Sequence, residues 1–132
     1  MSDPWASAKA PLDACEKLFS ICETGDLDDL RGVLAHGAVV WHNTDEMLVD
    51  VEGTVRTLKA IRGAASEFRY VDVNREPPPT SFVQQHTLIV KTPNRSIRDV
   101  CCCIGWVKDG RVTRIDAYHD SAATGVMPHR QK

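Results

Sequence analysis

The first long pattern in the chain is an apolar stripe at three- and four-residue spacing. Leu12, Cys15, Leu18, Phe19 and Cys22 fall on one face of a helix that Pro11 opens and Gly25 stops. Asp26 is placed to cap a second helix. Its stripe is Leu27, Leu30, Val33 and Leu34, and it ends at His36-Gly37. The pattern then changes. AVVWHN at 38–43 is β-branched and aromatic and reads as a short strand. After the polar stretch TDEMLVDVEG, Thr54 is placed to cap a third helix carrying Val55, Leu58, Ile61 and Ala65. Strands follow at 68–76, 81–92, 96–108 and 111–120. Prolines 77–79 stop the first of these, because proline cannot donate to a ladder. Pro93-Asn94 and Asp109-Gly110 supply turns between the others.

Helices followed by hairpin-linked strands indicate an α+β fold, not a doubly wound α/β one. The 132 residues hold one domain. The expected division is a flexible leader at 1–10, a single domain at 11–121 and a tail at 122–132.

Charge and cysteine content narrow the function classes. Sixteen basic against 18 acidic side chains leave a net charge of −2. No basic excess exists to neutralise phosphates, which argues against nucleic acid as a partner. No apolar run approaches the ~18 residues of a membrane span, so no membrane partner is expected. The N-terminus lacks a basic segment followed by an apolar one, so a cytoplasmic protein is expected. Cys15, Cys22 and the run Cys101-Cys102-Cys103 match neither a disulfide framework nor zinc spacing. Free thiols, no metal and no cofactor are the expectation.

Four segments carry a resemblance: ETGDLDDLRGVLA, AVVWHN, EGTVRTL and the closing KDGRVTRIDAYHD. Over residues 12–121 the chain resembles the NTF2-like superfamily and, within it, the SnoaL-like branch. The resemblance implies an NTF2-like cone, three helices packed on a strongly curved mixed β-sheet around an apolar pocket. It also implies a homodimer through the outer sheet face. Relatives of this type include ketosteroid isomerases, limonene epoxide hydrolases and polyketide cyclases. The implied function is cofactor-independent acid/base chemistry (isomerase, cyclase, dehydratase or hydratase) on a small, largely apolar polyketide-, terpenoid- or steroid-like molecule. The alternatives are a non-catalytic binding module, a limonene-epoxide-hydrolase-like hydrolase, and a protein-interaction domain with a filled cone.

The resemblance places Asp120 where related proteins carry a catalytic acid, with His86 or His42 as its proton-transfer partner. A carboxylate in an apolar cone has its charged form disfavoured, which suits acid/base work. Strand alternation puts Trp41 and Asn43 on one face and His42 on the other. One register gives the pocket Trp41 and Asn43. The other gives it His42, where ketosteroid isomerases carry a general base. Cys101 and Cys103 share a face with Asp99 and Gly105. Cys103 stands near an oxyanion-donor position of the isomerases, where a thiol is a poor donor. Trp106 and Tyr118 line either the pocket or the dimer seam. Where the epoxide hydrolases carry an Arg and an Asp at i and i+2, this chain shows Gln85 and Thr87, which removes the charged relay of that mechanism.

Overall fold

The computed structural model describes residues 4–76 and 81–120, so the expected tail lies outside the described residues. Helix α1 spans Pro4–Thr24, a 3-10 turn Leu27–Asp29, and α2 Leu30–Val33. Strand β1 (Leu34–His42), strand β2 (Leu48–Asp50) and helix α3 (Val51–Ala64) follow. Strands β3 (Glu67–Glu76), β4 (Ser81–Thr92), β5 (Arg95–Lys108) and β6 (Arg111–Tyr118) complete the chain. The sheet order is β2-β1-β6-β5-β4-β3. Only β1 and β6 run parallel among these pairings. The expected α+β cone is thus borne out: three helices lie on an open, mixed six-stranded sheet. No helix of the structure is long and apolar enough to cross a membrane.

Several boundaries differ from the pattern-based reading. Helix α1 begins at Pro4, so Pro11 lies inside it and residues 4–10 are helical. The second helix stops at Val33 because Leu34 pairs with Val112, which pulls the chain into β1 four residues early. The stretch read as polar contains β2, which pairs with β1. Helix α3 is capped by Asp50, whose Oδ1 accepts from the Gly53 amide at 2.8 Å, and not by Thr54. The Asp109-Gly110 turn is as expected, with φ of 53° and 76°, the left-handed pair a two-residue hairpin requires.

Helix α1 lays Cys15, Leu18, Phe19 and Cys22 over β3, β4 and β5, while α3 covers β1 and β2. Arg62 of α3 ties the two helices together. Its guanidinium donates to the carbonyls of Ile21, Cys22 and Gly25 at 3.0, 3.2 and 2.7 Å, capping the C-terminal end of α1. Phe82 is fully buried against Gly105 on the neighbouring strand. A Cβ at Gly105 would lie 2.1–2.7 Å from the Phe82 ring, so glycine there makes room for the aromatic.

Candidate active site

Between helices and sheet lies a cavity of about 440 Å³. Leu18, Phe19, Leu58, Ile61, Phe68 and Leu88 supply much of its apolar wall. Its polar chemistry comes from alternation along three strands. On β5, Ile97, Asp99, Cys101 and Cys103 are buried while Arg98 and Val100 are exposed. On β6 the inward set is Val112, Ile115 and Ala117, and His119 continues it one step past the strand end. On β1, Val40 and His42 line the cavity.

These faces bring together a carboxylate and two imidazoles. Asp99 is fully buried, and its Oδ2 lies 2.7 Å from His119 Nδ1. Asp99 Oδ1 accepts from the Asp120 amide at 3.0 Å. Burial by itself would raise the Asp99 carboxyl. The hydrogen bond and charge of His119, with the Asp120 amide, outweigh it and hold the carboxyl below its ordinary value. Asp99 is therefore an acceptor at neutral pH and Nδ1 of His119 carries the proton. His119 Nε2 in turn lies 3.0 Å from His42 Nδ1. The two rings are 5.2 Å apart at their centroids and within 22° of coplanar. That spacing is the N···N distance plus two ring radii, so the nitrogens point at each other and the rings do not overlap. With neutral rings, His119 Nε2 accepts from His42 Nδ1–H, and the His42 lone pair sits on Nε2.

Asn43 holds this arrangement through the backbone of His119. Its Oδ1 accepts from the His119 amide at 2.7 Å and its Nδ2 donates to the His119 carbonyl at 3.2 Å. Asn43 therefore clamps the segment after β6 to the end of β1, and its role is to fix His119.

His86 enters from β4. Gln84 Nε2 donates to His86 Nδ1 at 2.8 Å, and Gln84 Oε1 accepts from Arg75 Nε at 2.6 Å. The rings of Phe19 and Tyr70 pack edge-on against the imidazole. Burial, aided by the nearby Arg75 charge and opposed by Asp99, lowers the His86 pKa to about 4. The ring is neutral at physiological pH.

The remaining candidates are distributed unevenly. Cys103 lines the cavity, but burial pushes its thiol far above the ordinary range, and that of Cys101 likewise. Neither suits a nucleophile. All five cysteines are unbridged. Trp41 and Tyr118 stack edge to face at 5.4 Å away from the cavity lining, and Trp106 is exposed on the same outer side. Asp120 is exposed and does not line the cone cavity; it borders a second, more open hollow with Asp72, Thr87 and Tyr118 that also reaches His86 and His119. The buried carboxylate beside a histidine is Asp99. On β4 the inward pair is Gln84 and His86, so Gln85 and Thr87 are one step out of register with the cavity. Asp99 and His119, like Gln84 and Arg75, are site residues that the sequence reading does not name as candidates. The signal was there: Asp99 is the one acid in an alternating buried set, and His119 keeps the parity of Ile115 and Ala117.

No protein-family model matches this sequence, and no curated protein does. Solved structures do. An LEH-like epoxide hydrolase of M. tuberculosis is 17% identical, with a TM-score of 0.74 over 88% of this chain and 86% of the other. IdmH of Streptomyces antibioticus, provisionally assigned as a polyketide cyclase, is 16% identical with a TM-score of 0.74 over 86% and 94%. A provisionally assigned SnoaL-like polyketide cyclase from Jannaschia sp. CCS1 is 14% identical with a TM-score of 0.76 over 97% and 100%. At these identities the likeness shows the fold alone, the cone of three helices on a mixed sheet that the four sequence segments had pointed to.

Proposed function

We propose that this protein is a cofactor-independent acid/base enzyme that moves a proton on a small, largely apolar polyketide-, terpenoid- or steroid-like molecule. The observation that carries the reading is the hydrogen-bonded series Asp99–His119–His42 along the wall of an apolar cavity. A mere binding pocket has no need for a buried carboxylate aimed at a histidine, and buried charge is costly unless it is used or paired.

The geometry supports the following roles. His42 takes a substrate proton at Nε2. It passes its Nδ1 proton to His119 Nε2, and the imidazolium that forms on His119 sits against ionised Asp99. The reverse sequence returns the proton elsewhere on the same substrate. Net change is a proton moved from one substrate atom to another, the step shared by isomerisation and by aldol- or elimination-type cyclisation and dehydration. The apolar cavity excludes water, which strengthens each of these interactions. Epoxide hydrolysis finds less support, since the inward pair on β4 is Gln84 and His86 and no charged relay stands there.

The test is α-proton exchange in D₂O with a panel of bicyclic and steroidal ketones, followed by proton NMR. Exchange that depends on Asp99 supports the reading. Ligand binding without exchange, unchanged by Asp99→Asn, would favour the non-catalytic module instead.

The outer face supports a homodimer. Val100 is 60% exposed there and Tyr118 43%, an apolar patch of the kind that associates. Light scattering should return twice the chain mass, and Val100→Asp should return the monomer mass; a monomeric parent protein would end this part of the reading. Unbridged thiols suit a reducing, cytoplasmic compartment.

A further inference from the structure

Strand β3 carries a bulge opposite His86. Val71 pairs with Thr87 and Asn74 with Gln85, so Asp72 and Val73 together face the single residue His86. Asp72 takes the left-handed conformation, with φ of 54°. Unbroken pairing would set Asn74 opposite Gln84 and turn Arg75 outward beside Val83. The extra residue reverses that parity. Arg75 then pairs with Gln84 and its side chain reaches the inner side of the sheet. Bulges re-aim side chains in this way next to functional sites.

The consequence runs through two forced hydrogen-bond directions. A guanidinium only donates, so the Gln84 atom 2.6 Å from Arg75 Nε is the amide oxygen. Cys15 Sγ, 3.4 Å from the same oxygen, agrees with that assignment. The amide nitrogen must then face His86 at 2.8 Å, and it too only donates. His86 Nδ1 is therefore the acceptor, and the single ring proton of the neutral imidazole is on Nε2. His86 makes no other side-chain hydrogen bond among the described residues, and its ring lines the cavity.

We propose that Arg75 is a positioning residue which, acting through Gln84, holds His86 as the Nε2–H tautomer, so that the ring meets a substrate as a hydrogen-bond donor and not as a base. The partner this fits is a carbonyl oxygen that gains negative charge as the neighbouring C–H bond breaks. The C–H electron pair becomes the new C=C bond, the carbonyl π pair moves onto oxygen, and the proton goes to His42. A neutral donor stabilises that oxygen without competing for the proton. Division of labour follows: one histidine pair accepts, the third donates. This deepens the acid/base reading and rests on it only for the chemistry; the tautomer itself is testable without any substrate.

The experiment is long-range proton–nitrogen correlation NMR on protein labelled with ¹⁵N-histidine at pH 7. In the parent protein the unprotonated nitrogen of His86 should be Nδ1. Arg75→Lys keeps a cationic donor and should keep that signature. Arg75→Met frees the Gln84 amide to turn, and Nδ1–H should appear. Gln84→Glu offers a carboxylate oxygen to Nδ1–H while the other meets Arg75, so the signature should invert. A parent spectrum with Nδ1–H, or an unchanged spectrum in both Arg75→Met and Gln84→Glu, overturns the proposal. Should Arg75→Met fail to fold, Gln84→Glu decides alone. On a substrate that turns over, Arg75→Met and Gln84→Glu should each lower kcat by roughly 10–100-fold with KM little changed, short of the about 10²–10³-fold of removing a donor outright. Absence of turnover with the expected spectra would remove the enzymatic reading and leave the tautomer control standing.

Discussion

His42 and His119 share a 3.0 Å hydrogen bond although 77 residues separate them in the chain. The contact exists because β1 and β6 pair in parallel, His42 aligned with Ala117, so that the end of one strand meets the residues just beyond the end of the other. Asp99 completes the series from the third strand. Removing its charge should disable the relay while leaving its shape. Asp99→Asn is expected to lower turnover by about 10²–10⁴-fold, the usual worth of a positioned acid/base group. Asp120→Asn, outside the cavity lining, should cost little. Steady-state kinetics on any substrate found by the exchange screen checks both; the opposite ranking would return the role to Asp120.

The depressed basicity of His86 gives a stability prediction with a definite sign. Unfolded, the ring titrates near 6.5; folded, near about 4. Between these values the unfolded chain binds more protons, so stability rises with pH across that window and falls on acidification. The slope from this group reaches at most about 1.4 kcal/mol per pH unit. Asp99 adds to acid sensitivity at lower pH, since its depressed carboxyl loses its contribution as it protonates. Urea unfolding at several pH values between 4.5 and 7 should show the slope in the parent protein and a shallower one in His86→Gln. Parallel slopes would show that His86 does not titrate on unfolding.

Gly105→Ala should be among the most damaging conservative changes in the sheet. Its new Cβ would overlap a buried ring held from both sides by α1 and β5. Overpacking of this kind costs about 1–3 kcal/mol. Phe82→Leu in the Gly105→Ala background should recover part of the loss, which a double-mutant cycle in urea reads directly.

Thiol accessibility follows from alternation on β5. Cys102 points to the outer side and is half-buried, while Cys15, Cys22, Cys101 and Cys103 are buried. Burial raises Cys15 to about 11 and Cys22 to about 12, which slows their reaction further. An aromatic disulfide reagent should label one thiol per chain quickly and all five only after unfolding. Two or more fast thiols in the native protein would contradict this placement.

How much of this was readable in advance depended on whether the signal was local. Helices α1 and α3 and strands β3 to β6 announce themselves through spacing, and the Asp109-Gly110 turn through its residue types. His42, His86 and Cys103, candidates on sequence grounds, all line the cavity. Asp120 drew attention by ending the last strand, yet parity alone assigns it outward and His119 inward. Trp41, Trp106 and Tyr118 looked like pocket walls because aromatics suit both faces of a sheet. The bulge at Asp72-Val73 left no mark in composition, and with it Arg75 escaped notice. The parallel pairing of β1 with β6 is a long-range choice, set by which edge is left open once the hairpins form.

That parallel seam also sets when the site comes into being during folding. Its contacts join the first strand to the last, among the most distant pairings the chain makes, and such non-local closure is slow relative to hairpin and helix formation. β3, β4 and β5 pair with their neighbours in the chain, whereas β6 must also dock beside the distant β1. Until it does, His42 has no partner ring and Asn43 has no backbone to clamp. A chain ending before residue 117 would carry most of the sheet and keep His42 and Asp99, yet lack the His119 ring that joins them.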